Sequence, residues 1–131
     1  MARVTVLCPD LLFGSRVEGG LGAAGHEVTR VEDEPATWAA VGAGTNALVV
    51  DLGTEEVDGI VLVDSMLADG TLRGVGTLGF YPHVEQETRR RAEEVGFDLV
   101  VPRSRMAREM AALVERVVAA GGGPAEERDG R

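Results

Sequence analysis

Aromatic side chains are scarce in this chain, at 4% of its residues, so a core has to be assembled from valine, leucine, alanine and methionine. Cysteine occurs once, at Cys8, which excludes an internal disulfide and fits a reducing, cytoplasmic setting. No apolar run is long enough to span a bilayer, and Met1-Ala2-Arg3 leads directly into a strand-like segment rather than a secretory hydrophobic region. Basic residues number 13 against 22 acidic ones, and the net charge of −9 repels phosphate backbones and anionic lipid. Neither nucleic acid nor a membrane is therefore an expected partner. Also missing are a GxxxxGK[ST] loop, a nucleophile elbow and any clustered metal-ligand spacing. Gly20-Leu21-Gly22-Ala23-Ala24-Gly25 matches the letters of a dinucleotide fingerprint, but it falls about ten residues after the first strand, where a helix ends. A fingerprint must turn from strand straight into helix so that free amides meet pyrophosphate. The match is rejected.

What is present is a chain of 131 residues, 44% hydrophobic and 27% charged, a length and composition that suit one globular domain. Val4 to Cys8 reads as a buried strand closed by Pro9, with Cys8 a buried, inert thiol. Asp10 is placed to cap a helix whose buried face is expected to hold Leu12, Phe13, Val17 and Leu21. A strand over 26–31 follows, with His26 structural, and then a short helix with Pro35 in its first turn and Trp38 and Val41 inward. Ala47-Leu48-Val49-Val50 is the clearest central strand, and it delivers Asp51. Thr54 is the expected cap of the next helix, with Glu55 and Glu56 in its first turn and Val57, Ile60, Val61 and Leu67 on its inner face. That segment, 57–68, has strand composition as well, but a strand there would follow its neighbour too closely for a parallel connection. A strand over 75–81, a polar helix over 85–95 with Val84, Thr88, Ala92 and Val95 in one stripe, and a strand over 98–101 come next. Ser104 is the expected cap of a last helix bearing Met106, Met110, Leu113, Val114, Val117 and Val118. Residues 1–120 thus form one domain, and 121–131, opening Gly121-Gly122-Gly123-Pro124, a disordered tail.

Strand and helix alternate about five times, and right-handed crossovers turn such a chain into a parallel sheet with helices on both faces. Ligand and catalytic residues belong at strand C-terminal ends near the switch point of the sheet. The candidates on that rule are Asp10, Asp51, Tyr81, His83 and Arg103.

Leu48-Val49-Val50-Asp51-Leu52 and Gly96-Phe97-Asp98-Leu99-Val100-Val101-Pro102-Arg103-Ser104, in this alternating frame, resemble the response-regulator receiver (CheY-like) family over residues 3 to 120. The resemblance implies a flavodoxin-like, doubly wound α/β fold with five parallel strands in the order 2-1-3-4-5. It implies Asp51 as phosphoacceptor, Arg103 in place of the family's lysine, and Tyr81 where a small hydroxyl residue stands. The acidic pair that holds magnesium falls near Cys8-Pro9, leaving Asp10 and Asp51 as the candidate ligands. An aspartate accepts a phosphoryl group only when a cation and a fixed positive side chain offset charge on the transferring oxygens. Three readings follow. The first is a stand-alone pseudo-receiver, neither an enzyme nor a cofactor protein, that binds a protein partner or a second copy through residues 85–120. The others are an active receiver phosphorylated on Asp51, and a small-molecule binder using the pocket around Asp10, Asp51, Tyr81 and His83. Arg89-Arg90-Arg91 reads as a solvated helix face that can also meet an acidic partner.

Overall fold

A computed structural model describes residues 1–82 and 86–121. His83, Val84 and Glu85, and the tail after Gly121, lie outside the described residues. Ten elements alternate: β1 (Arg3–Leu7), α1 (Leu11–Ala23), β2 (Glu27–Val31), α2 (Glu34–Gly42), β3 (Ala47–Asp51), α3 (Gly59–Ala68), β4 (Gly76–Tyr81), α4 (Gln86–Val95), β5 (Leu99–Pro102) and α5 (Arg103–Gly121). The five strands form one sheet in the order β2-β1-β3-β4-β5, every pair parallel. The doubly wound, flavodoxin-like architecture expected from the sequence is the one observed.

Strand alternation divides the core in two. Val4, Val6, Ala47, Val49, Leu78, Phe80 and Val101 meet Phe13, Val17 and Leu21 of α1 and Met106, Leu113, Val114 and Val117 of α5. Leu7, Leu48, Val50, Tyr81 and Val100 meet residues of α2, α3 and α4 on the other face. Both faces are therefore covered, which is why the central strands read as continuous apolar runs rather than alternating ones.

Three aspartates start helices by accepting a hydrogen bond from an orphan amide. Asp10 Oδ1 accepts from Phe13 N at 3.1 Å, Asp33 Oδ1 from Ala36 N at 2.9 Å, and Asp58 Oδ1 from Val61 N at 3.1 Å. The cap of α3 is thus Asp58, not Thr54. Thr54 closes only a local turn, its hydroxyl oxygen accepting from Glu56 N, and Glu55 and Glu56 precede the helix. This later start also resets the inner face: Ile60, Val63 and Met66 face the sheet with Leu62, while Val57 precedes the helix and Val61 and Leu67 turn outward. A similar shift takes Leu12 out of the core. It is 85% exposed, and Gly14 shares the buried side with Phe13, Val17 and Leu21. Ser104 is no cap either, because β5 passes directly into α5 at Arg103 and Ser104 already lies in the first turn. Along α4, Ala92 is the fully buried one among the described members of the expected stripe, and Val84 lies outside the described residues. Among the described residues no helix is long and apolar enough to cross a membrane.

Candidate functional site

The order of strands reverses around β1 and β3, so the segment after β1 and the end of β3 flank one crevice. Asp51 closes β3 on the α1/α5 face. Its side chain is 2% exposed. Oδ1 accepts a hydrogen bond from Gly53 N at 2.9 Å, which fixes the carboxylate against its own loop. That loop can pass there only because residue 53 is glycine: a Cβ would lie 2.6 Å from Pro82 Cδ. Oδ2 is the working edge. Cys8 Sγ stands 3.6 Å from it, and Arg103 Nη2 stands 3.7 Å from it.

Arg103 arrives from the third strand end, where β5 becomes α5, and its other terminal nitrogen lies 3.5 Å from Asp10 Oδ2. One guanidinium therefore spans the two carboxylates that the sequence singled out. Its plane is held from below, with Cζ 4.5 Å from the centroid of the Phe13 ring and 6.0 Å from that of Phe80. Phe13 and Phe80 in turn pack at 5.1 Å between centroids. Both ion pairs exceed the usual length of a charge-assisted hydrogen bond, about 2.7–2.9 Å. They fix the sign of charge in the crevice without spending the donors of the arginine, and Arg103 Nε is buried with no hydrogen-bond partner.

Cys8 takes a place in the crevice that its apolar surroundings did not announce. Burial, and next the charge of Asp51, push its thiol up to about 12, so at neutral pH it is an S–H group donating toward Asp51 Oδ2. Magnesium asks for near-octahedral oxygen coordination. The crevice offers one oxygen edge each from Asp10 and Asp51, both already facing a guanidinium, and a protonated thiol beside them. Among the described residues no three His, Cys, Asp or Glu side chains are grouped to hold a metal. In this arrangement the two carboxylate edges that could meet a cation both face the guanidinium of Arg103.

One candidate stands away from this cluster. Tyr81 is buried in the cluster formed with α3 and α4, because strand alternation makes Phe80, not Tyr81, the neighbour of Asp51 across the β3/β4 pair. The position that resembles the family's hydroxyl switch is thus turned to the opposite face of the sheet. His83 lies outside the described residues. Missed from the sequence was Phe13, read only as core. Its position three residues after a helix cap at a strand end, in a chain poor in aromatics, was the available signal.

No family model matches the chain, and no curated protein does. Solved structures do. The receiver domain of the Francisella response regulator 1452 superposes with a TM-score of 0.80 at 14% identity, covering 92% of this chain and 98% of that one. The fold is that of receiver domains. A CheY-like receiver domain protein from Methanospirillum hungatei JF-1 gives 0.79 at 14% identity, covering 92% of this chain and 96% of that one. NtrX from Brucella abortus, solved in complex with ADP, gives 0.86 at 20% identity over 99% of this chain, which spans 30% of that longer protein. In this fold the crevice brings together Asp51, Asp10, Arg103 and Cys8.

Proposed function

We propose that this chain is a receiver-like signalling module of the two-component type that works by binding a partner and does not undergo magnesium-dependent phosphorylation of Asp51. The observation that carries this reading is the position of Arg103 between Asp10 and Asp51. A metal ion in phosphoryl transfer neutralises the acceptor carboxylates and bridges to the incoming oxygens. Here a side-chain guanidinium already does the first task, and the thiol of Cys8 replaces an oxygen ligand beside it. Arginine presents a flat fork rather than the point charge of a lysine, so it also approaches a transferring group differently. Self-phosphotransfer on Asp51 is accordingly not expected, and neither is any other catalysis.

The partner-binding face in this proposal comprises residues 85–120, that is α4, β5 and α5. On α4, Arg89 pairs with Glu93 at 3.1 Å and Arg90 with Glu87 at 2.6 Å, both exposed, while Arg91 makes no ion pair among the described residues. Exposed pairs of this kind exchange readily for pairs with another chain. The partner is a protein with an acidic face or a second copy of this chain.

The test is incubation of the protein with a small phosphodonor and magnesium, followed by intact-mass measurement. No phosphoryl mass gain is expected. A gain that disappears in Asp51→Asn would overturn the proposal and make Asp51 a working phosphoacceptor.

A further inference from the structure

Beside the carboxylate crevice, between α1 and the start of α5, lies a separate cavity of about 450 Å³ lined by Phe13, Arg16, Pro82, Arg103, Ser104 and Ala107. Its size and make-up, an apolar body with a few convergent polar groups, are those of a small-molecule site. Among the described residues its charged lining consists of two arginines, Arg16 and Arg103, the second of which also faces Asp10 and Asp51 across the crevice.

The donors there are not closed into hydrogen bonds, although Arg103 is ion-paired. Arg16 is exposed on α1 and makes no ion pair or hydrogen bond among the described residues. Among the described residues Arg103 makes no hydrogen bond: its contacts with Asp10 and Asp51 are ion pairs at 3.5 and 3.7 Å, and its Nε is buried without a partner. Ser104 contributes an exposed hydroxyl free of any hydrogen bond among the described residues. Beneath them the ring of Phe13, with Pro82 and Ala107, supplies the apolar wall. Two guanidinium forks and a hydroxyl over an aromatic floor match a flat apolar body that carries one oxyanion, because an oxyanion can take parallel N–H bonds from a fork while the body covers the wall.

We infer that this cavity binds a small organic oxyanion, an aromatic carboxylate or phosphate ester, through Arg16, Arg103 and Ser104. The inference does not depend on whether Asp51 is phosphorylated. It does have a consequence for that crevice: a ligand oxyanion competes with Asp10 and Asp51 for Arg103, so occupancy and the state of the carboxylates are coupled through one side chain.

The test is a titration of the isotope-labelled full chain with 1-naphthoate, its neutral counterpart 1-naphthalenemethanol and inorganic phosphate, followed by amide resonances. Saturable shifts with 1-naphthoate, confined to the amides around Phe13–Arg16 and Arg103–Ala107, are expected, with the neutral alcohol binding at least about tenfold more weakly. Arg16→Gln, an exposed substitution, should weaken 1-naphthoate by about tenfold without altering the rest of the spectrum. Ala107→Phe should fill the cavity and abolish binding. Shifts that scatter over the surface or never saturate would overturn the inference, as would equal binding of acid and alcohol or indifference to Arg16→Gln. Phosphate alone producing the same pattern as 1-naphthoate would remove the aromatic part of the ligand and overturn the assignment as stated.

Discussion

The two ends of the sheet are built by different rules. At the N-terminal ends of the strands, most polar groups are paired by short hydrogen bonds, the exception being the buried His26 Nε2, whose nearest charged neighbour, Glu115, is 3.8 Å away. Thr77 N donates to Asp98 Oδ2 at 2.8 Å, Asp98 N donates to Thr77 Oγ1 at 2.9 Å, and Arg3 N donates to Asn46 Oδ1 at 2.8 Å. Ala2 N donates to His26 Nδ1 at 3.1 Å, which gives His26 the structural place expected of it. At the C-terminal ends, by contrast, Asp10, Asp51, Cys8 and Arg103 stand 3.5 to 3.7 Å apart. Buried polar groups usually close their hydrogen bonds fully, because an unpaired one costs roughly 1–3 kcal/mol. An end where that has been done holds the fold together. An end where donors are left over is the place to look for a ligand.

The comparison can be broken most severely at its rigid end. Gly76 opens β4 where α5 crosses it, and a Cβ there would lie 2.0 Å from the carbonyl oxygen of Val117. Gly76→Ala should therefore destabilise the protein by about 3 kcal/mol or more, since backbone rather than a flexible side chain has to move. Chemical denaturation measures it, and a loss under about 1 kcal/mol would show that α5 can slide away from the strand.

A sharper form matches one polar residue at each end. Asp98→Ala strands the amide of the buried Thr77 and should cost about 2 kcal/mol. Arg103→Gln removes two longer contacts made by a side chain that is 38% exposed. It should cost about 1 kcal/mol, the low value reflecting solvent screening and the retained Gly53 N–H bond to Asp51. Equal losses at the two ends would contradict the contrast drawn between them.

A further effect is one of pH and is small until well above neutrality. The folded thiol of Cys8 is pushed up to about 12 from 9.0, so between those values the folded chain keeps a proton that the unfolded chain releases. Stability from this group is complete below pH 9.0 and falls as pH rises toward about 12. Other alkaline titrations are common to the wild type and Cys8→Ala, so the difference between their denaturation midpoints should narrow progressively above pH 9.0. A difference independent of pH would show that burial and the charge of Asp51 do not hold the folded thiol protonated.

Much of the crevice could be read in advance because it depends on chain order. Alternating strands and helices bring the ends of β1, β3 and β5 together whatever their side chains, and Asp10, Asp51 and Arg103 sit at those ends. Tyr81 also sits at a strand end, yet the period of two carries it to the other face. The start of β4 had been expected at residue 75, but the decisive quantity was register: Asp51 pairs with Phe80, and that follows from how two strands lie beside each other. Helix faces were legible only as far as helix starts were. Along α5, where the apolar stripe runs for three turns, Met106, Leu113, Val114 and Val117 are buried as expected, with Met110 and Val118 packed at the edge. Along α3 an apolar composition on every side left the stripe ambiguous, and the cap at Asp58 decided it.

By itself, then, the sequence determined that Asp51 ends a central parallel strand, because a short β-branched run between turn residues has few other structures open to it. It also determined that one cation and two carboxylates belong to the same edge of the sheet. The tertiary structure alone decided what those groups do to one another. Distances of 3.5 and 3.7 Å from a single guanidinium, the ring of Phe13 beneath it and the thiol of Cys8 beside it come from packing between segments far apart in the chain. Local pattern sets which element a residue joins and where along it the residue stands. Whether its charge is spent or left over depends on neighbours that only the folded chain supplies.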